Sequence, residues 1–180
     1  MIKITGSIKR SFIFPAIATD AMAYYCQIER IIQFLPHISL VHKYSEDQLR
    51  VLYQSQELGT YTIRIYSDLG CELDHSEKAI SVFPIKLPEA PEIPTTATMR
   101  ETSGHGLFAI DAKFFALGEK TRVEYIIRMQ GELERPAGMK LMPRRVVNKI
   151  ARSITENRIR EIADGFIQQS VTAYEKNPVQ

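Results

Sequence analysis

The first fourteen residues alternate. Ile2, Ile4, Ile8, Phe12 and Phe14 fall on one face of an extended chain, with Lys3, Lys9 and Ile13 among those on the other. That period of two predicts a half-buried strand over 2–14. Pro15 cannot donate to a sheet ladder and stops it. The period then changes. Thr19 and Asp20 offer helix N-cap oxygens, and in AMAYYCQIERIIQFL the residues Met22, Tyr25, Cys26, Ile28, Ile32 and Leu35 recur at helical spacing until Pro36. One or two short helices are expected there. Strand patterns return without helices between them, over 38–44, 48–56 and 59–68, with turn chemistry at Ser45-Glu46-Asp47 and Glu57-Leu58-Gly59. A further strand is expected around 78–85.

Residues 84–98 hold Pro84, Pro88, Pro91 and Pro94 and then a run of threonines, which predicts an extended loop or edge segment. The segment joins rather than divides, because neither half would own a complete core. Two long strands follow, 104–117 and 119–131, turning at Gly118-Glu119-Lys120. In the second, Val123, Tyr125, Ile127 and Met129 alternate with Arg122, Glu124, Arg128 and Gln130. In the first, Phe108, Ile110, Ala112, Phe114 and Ala116 share a face, and the two alanines would leave space above the sheet. Pro143 suits the first position of a helix running to about Lys176. Val147, Ile150, Ile154, Ile162, Phe166 and Tyr174 lie near one stripe of it, broadened by Ile159, Ile167 and Val171. The whole chain reads as a single α+β domain, 1–180.

Composition narrows the classes. The chain has 180 residues, 44% hydrophobic and 24% charged, the balance of an ordinary globular protein. A net charge of +2 is too mild to imply nucleic-acid binding. Cys26 and Cys71 have neither metal-ligand spacing nor a disulfide framework, which fits two thiols in a reducing compartment. The N-terminus alternates where a signal peptide would be continuously apolar, and no stretch nears the ~20 apolar residues of a membrane span. A soluble, cytoplasmic protein is expected.

Signatures of catalysis are weak. His37 and His42 stand an odd number of positions apart, so a strand would point them to opposite sides, and His75 follows Asp74 in what reads as a polar turn. Gly104-His105-Gly106 precedes no helix N-terminus that could cradle a phosphate, and reads as a flexible or bulged strand start. No metal site and no cofactor are implied. The aromatics say more: Tyr53, Tyr61, Phe108, Phe114, Tyr125 and Phe166 fall on the inward faces. Alternation marks burial, which a filled core satisfies as well as a pocket does. Charge is the other feature. Lys140, Arg144, Arg145, Lys149, Arg152, Arg158 and Arg160 face the single acid Glu156 within 140–160, against the preference for acids at a helix start. A solvated helix face explains this, and so would docking on an anionic membrane or an acidic protein partner.

Three stretches carry a family resemblance: the opening IKITGSIKRSFIFPA with the helix after it, the hairpin FAIDAKFFALGEKTRVEYIIRM, and the closing helix from Pro143. Their order resembles the START/Bet v 1-like (SRPBCC) helix-grip superfamily, and most of all an uncharacterised branch of short, single-domain members. YYCQIERIIQFLPHI is also similar, with looser spacing, to the Tyr…Phe-Leu-Pro stretch of a ubiquinone-binding branch, here Tyr25, Phe34, Leu35 and Pro36. The resemblance implies a curved antiparallel sheet around the long helix, enclosing a hydrophobic cavity; residues 84–98 depart from it as an unusual insertion for this fold, expected to rim one end of the pocket. The cavity residues it implies are Tyr53, Tyr61, Ile63, Ile65, Phe108, Ile110, Phe114, Tyr125, Ile127, Ile154, Ile162 and Phe166, with Tyr125 orienting a polar atom of the ligand. Arg144, Arg145, Lys149 and Arg152 are the candidate membrane or partner contacts. The implied function is non-catalytic binding or carriage of a hydrophobic small molecule of the lipid, isoprenoid or pigment class. A partner-binding or assembly factor is the alternative, and a cyclase or dehydratase comes third.

Overall fold

A computed structural model describes residues 1–57, 59–88 and 90–177. Leu58 of the expected Glu57-Leu58-Gly59 turn lies outside them. Strand β1 (Ile2–Phe14) leads to helices α1 (Ala18–Tyr25) and α2 (Ile28–Ile32). Strands β2 (Ile38–Lys43), β3 (Gln48–Glu57), β4 (Tyr61–Asp74) and β5 (Ala79–Pro84) follow, then the two-residue β6 (Thr96–Ala97). The hairpin β7 (Glu101–Leu117) and β8 (Lys120–Leu133) passes through a 3-10 turn at Ala137–Met139 into α3 (Arg144–Lys176). One sheet of eight strands runs β1-β8-β7-β5-β4-β3-β2, with β6 beside β7. No described helix is long and apolar enough to cross a membrane.

The expected alternations set the faces. Val123, Tyr125, Ile127 and Met129 are all buried on the concave face, and β1 pairs with β8 along its whole length, from Ile2↔Leu133 to Phe14↔Thr121. At 33 residues, α3 is about 50 Å long and crosses the sheet. Pro143 stands at its N-cap, one residue before the helix begins.

Four local differences have physical causes. The N-cap of α1 is Ile17, not Thr19 or Asp20, because buried Ala18 already belongs to the helix. Strand β4 runs on to Asp74 because β5 pairs with its second half, Leu69↔Pro84 to Asp74↔Ala79. Its first half instead pairs parallel with β7, Thr62↔Glu101 to Tyr66↔His105, so β5 is a wedge between two strands that meet at one end. Gly104-His105-Gly106 therefore lies inside β7. A β-carbon on Gly106 would come within 2.5 Å of Ile65 Cγ2 and 3.1 Å of Gln130 O, so that close approach of strands admits no side chain.

The wedge also decides the course of the proline-rich segment. Leaving β5 between two strands, the chain crosses the outer face of the sheet on its way to β7. There Arg50 and Asp68, on the outward positions of β3 and β4, form a bidentate pair at 2.6 and 2.9 Å with 8% of each side chain exposed. Arg50 also donates to Pro91 O at 2.7 Å. The segment thus covers a buried ion pair on the convex side, and the expected place at the cavity rim is taken by residues after β8.

Candidate functional site

The space between α3 and the sheet is filled at one end and open at the other. At the filled end, the finish of β1 and α1 bring Phe12, Phe14, Tyr24 and Tyr25 against Phe114, Tyr125, Phe166 and Tyr174. Ring centroids lie 4.6 Å apart for Phe14 and Tyr174, 5.6 Å for Tyr125 and Phe166, and 5.9 Å for Tyr25 and Phe114. Polar ties fasten α3 here. Tyr125 Oη donates to Ala163 O at 2.6 Å, Tyr24 Oη donates to Ser170 O at 2.9 Å, and Arg10 Nε meets Asp164 Oδ1 at 2.7 Å. On the other flank Arg158 Nε reaches Glu57 Oε1 at 2.7 Å, and Arg158 also holds Glu161.

At the opposite end β1, β4 and β7 begin and β8 finishes. Here lies an apolar cavity of about 60 Å³. Its floor is Ile2, Ile4, Tyr61, Ile63 and Leu133, its roof Val147, Ile150, Ala151 and Ile154 of α3, and Pro136 and Met139 close its end. The polar residues on its border are Glu57, Thr102, Glu134 and Thr155.

Of the residues expected to line a pocket, Tyr61, Ile63 and Ile154 do so. Tyr53, Ile65 and Phe108 border a second void of only about 20 Å³. Ile110, Phe114, Tyr125, Ile127, Ile162 and Phe166 belong to the packed core and border neither space. The volume expected above Ala112 and Ala116 is not there: Ala112 packs against the core and Ala116 is exposed, because the α1 aromatics occupy that end. Tyr125 is not free to orient a ligand, since its hydroxyl is bonded to Ala163 O. Burial pushes that hydroxyl's pKa up, the Asp164 charge adds to the rise, and Arg10 moderates it.

Two buried hydroxyls have no hydrogen-bond partner among the described residues, those of Ser55 and Tyr61, and of the two Tyr61 lines the cavity. Glu57 was not singled out by sequence, although a signal exists. It continues the inward alternation Leu49, Val51, Tyr53, Ser55, and so brings a carboxylate onto the core face.

Outside the cavity, Arg144, Arg145 and Lys149 are exposed, while Arg152 pairs with Glu156 at 2.8 Å. Lys3, Arg135, Arg144 and Arg152 border an open groove between β1 and α3 that shares Ile2 and Val147 with the cavity wall. Leu141, on the loop into α3, is 99% exposed. Arg158 differs from the rest of the basic run, being inward and tied to Glu57. The histidines are dispersed: His37 lies 3.0 Å from Glu161, His105 lies 3.5 Å from Asp68, and His42 packs on Tyr44. Among the described residues no three His, Cys, Asp or Glu side chains gather as metal ligands.

No family model matches the chain, and no curated protein matches it in sequence. Solved structures do match in shape. The Zhui aromatase/cyclase from Streptomyces sp. R1128 superposes with a TM-score of 0.60 at 12% identity, covering 96% of this chain and 94% of that one. A conserved protein from Geobacillus kaustophilus gives 0.56 at 9% identity, covering 96% of each. The di-domain aromatase/cyclase StfQ from the steffimycin biosynthetic pathway gives 0.55 at 13% identity, covering 98% of this chain and 53% of that one. Identities this low speak to architecture alone, and the architecture is the helix-grip α+β fold, an antiparallel sheet curved around a long C-terminal helix.

Proposed function

We propose that the chain, acting as one domain in the cytoplasm, binds and carries a hydrophobic small molecule between the first half of α3 and the sheet, without transforming it. The supporting observation is the apolar cavity at the one end of the helix–sheet interface that the aromatic cluster leaves open. At about 60 Å³ it is well below the ~300–1,000 Å³ of a loaded site. It is the inner end of a site that widens when residues 134–142 and the start of α3 move outward. Binding is favoured over turnover because the buried carboxylate on its border, Glu57, is already engaged by Arg158. A lipid, isoprenoid or pigment fits such a lining.

Loading at an anionic membrane surface belongs to the same proposal. Residues 135–155 contain six Lys and Arg and no Asp or Glu, and the fully exposed Leu141 stands among them. Each basic residue near an anionic leaflet contributes about 1 kcal/mol. A partner-binding or assembly role is the second reading, favoured by the filled aromatic end and by the exposed Leu141 and Met99.

Native mass spectrometry of the freshly purified protein tests the first reading, with an apolar adduct of defined mass expected. Neither an adduct nor uptake of an apolar fluorescent probe would retire the carrier and leave the assembly factor.

A further inference from the structure

The cavity holds one polar group that its own lining does not satisfy. The Tyr61 hydroxyl is buried without a hydrogen-bond partner among the described residues, and its side chain forms part of the cavity floor. Three of the four polar residues on the border make bonds elsewhere, and the fourth, Glu134, is exposed. Thr102 Oγ1 donates to Thr96 O at 3.1 Å, Thr155 Oγ1 donates to Ala151 O at 2.8 Å, and Glu57 accepts from Arg158 at 2.7 Å. The Thr102 hydroxyl is near enough to Tyr61 to temper the rise in pKa that burial imposes, but it does not lie in hydrogen-bonding geometry.

A buried, unpaired donor is costly and rare in native proteins, and asks what pairs with it. The space is large enough for one water, which Tyr61 could share with the acceptor lone pairs of Thr102 and Thr155, and a ligand oxygen would take that water's place.

We propose that Tyr61 is the polar anchor of this cavity, and that the ligand is a neutral apolar molecule presenting one oxygen, as a ketone, aldehyde, ester or alcohol, to the Tyr61 hydroxyl. This rests on the binding function proposed above and adds the ligand's polar chemistry. Charge weighs against an anion: Glu57 is already paired with Arg158, but Glu134 borders the cavity with no ion-pair partner among the described residues, so an acidic head group beside Tyr61 would face its carboxylate. The guanidinium groups of Arg144 and Arg152 border the outer groove and not this cavity. A plain hydrocarbon fills the volume but leaves the hydroxyl unpaired, so the oxygen confers selectivity.

Three six-membered-ring probes test this: methylcyclohexane, cyclohexanone and cyclohexanecarboxylate, titrated into wild type and Tyr61→Phe with amide NMR shifts as the readout. In wild type, cyclohexanone binds more tightly than the carboxylate. Tyr61→Phe weakens cyclohexanone about five-fold, the loss of one hydrogen bond, and leaves methylcyclohexane within about two-fold. The variant keeps its fold, because it removes an unpaired buried hydroxyl and nothing else. Unchanged ketone affinity in Tyr61→Phe, an equal loss for ketone and hydrocarbon, or a preference for the carboxylate overturns the anchor while leaving the cavity as a binding site. Failure of all three probes to bind wild type overturns both.

Discussion

Arg158 of α3 and Glu57 of β3 meet at 2.7 Å across the gap between helix and sheet, and Glu57 does so from the core face with 8% of its surface exposed. Removing the cation strands a buried carboxylate, which costs more than the pair is worth. Arg158→Ala should lose about 2 kcal/mol in urea denaturation, the partial exposure of Arg158 keeping the figure below that of a fully buried pair. Adding Glu57→Leu should restore most of it. If the double variant were as unstable as the single one, Glu57 would not be the stranded group.

The pair on the outer face sets the acid limit. Burial raises the Asp68 carboxyl's pKa, but the Arg50 guanidinium outweighs burial and His105 helps, so it sits below the usual carboxylate range. A depressed folded pKa gives stability that is fully present above the unfolded value of about 4 and is lost as pH falls through the folded one. Asp68→Asn should be less stable at pH 7 by about 3 kcal/mol, because Arg50 is left buried and unpaired. Its stability should also fall less steeply below about pH 4. Acid limbs of equal slope would remove Asp68 from the account.

Gly165 lies mid-helix, where alanine is normally better by about 1 kcal/mol. A β-carbon there would come within 2.5 Å of Pro36 Cγ, part of a ring that cannot swing aside. Gly165→Ala should therefore destabilise, by about 1–3 kcal/mol. A higher melting temperature would show that Pro36 yields.

Ala151 borders the cavity. Ala151→Leu should fill it, holding or raising the melting temperature while abolishing uptake of an apolar fluorescent probe. At a packed site the same change would cost about 1–3 kcal/mol, so a clear drop in stability would mean that no usable space exists there.

Arg144, Arg145 and Lys149 should support co-sedimentation with phosphatidylserine-containing liposomes that weakens between low and physiological salt. Leu141→Ser should reduce recovery without changing the salt dependence. Equal recovery on neutral and anionic liposomes would leave these side chains as a solvated face.

Strand faces were legible because alternation is local: Val123, Tyr125, Ile127 and Met129 needed only their charged neighbours to declare a buried side. Depth along a strand was not legible. Nothing near Phe114 or Tyr125 in sequence says that Phe14, Tyr24 and Tyr25 arrive from the other end of the chain to fill the space above them, so open space was expected at the end of the hairpin that is packed. The same alternation turned Tyr61 and Ile63 inward, and the helical stripe of α3 did so for Ile154; all three line the cavity. The Arg50–Asp68 pair was invisible for the converse reason. Charges on outward strand positions normally meet water, and only the crossing of residues 84–98, forced by the β5 wedge, buries them.

The fastenings of α3 have a consequence for its motion. Every hydrogen bond or ion pair between its described side chains or carbonyls and the rest of the fold lies at or beyond Arg158, through Glu161, Ala163, Asp164 and Ser170. The first fourteen residues, 144–157, rest on apolar contacts around the cavity. One continuous helix is thus pinned along its second half and free to lift along its first. Its amides should exchange with deuterium on a gradient, fast over 144–157 and slow from Ile159 onward, because local opening follows the density of tertiary ties. An occupant that filled the cavity would slow the fast half and leave the slow half as it was.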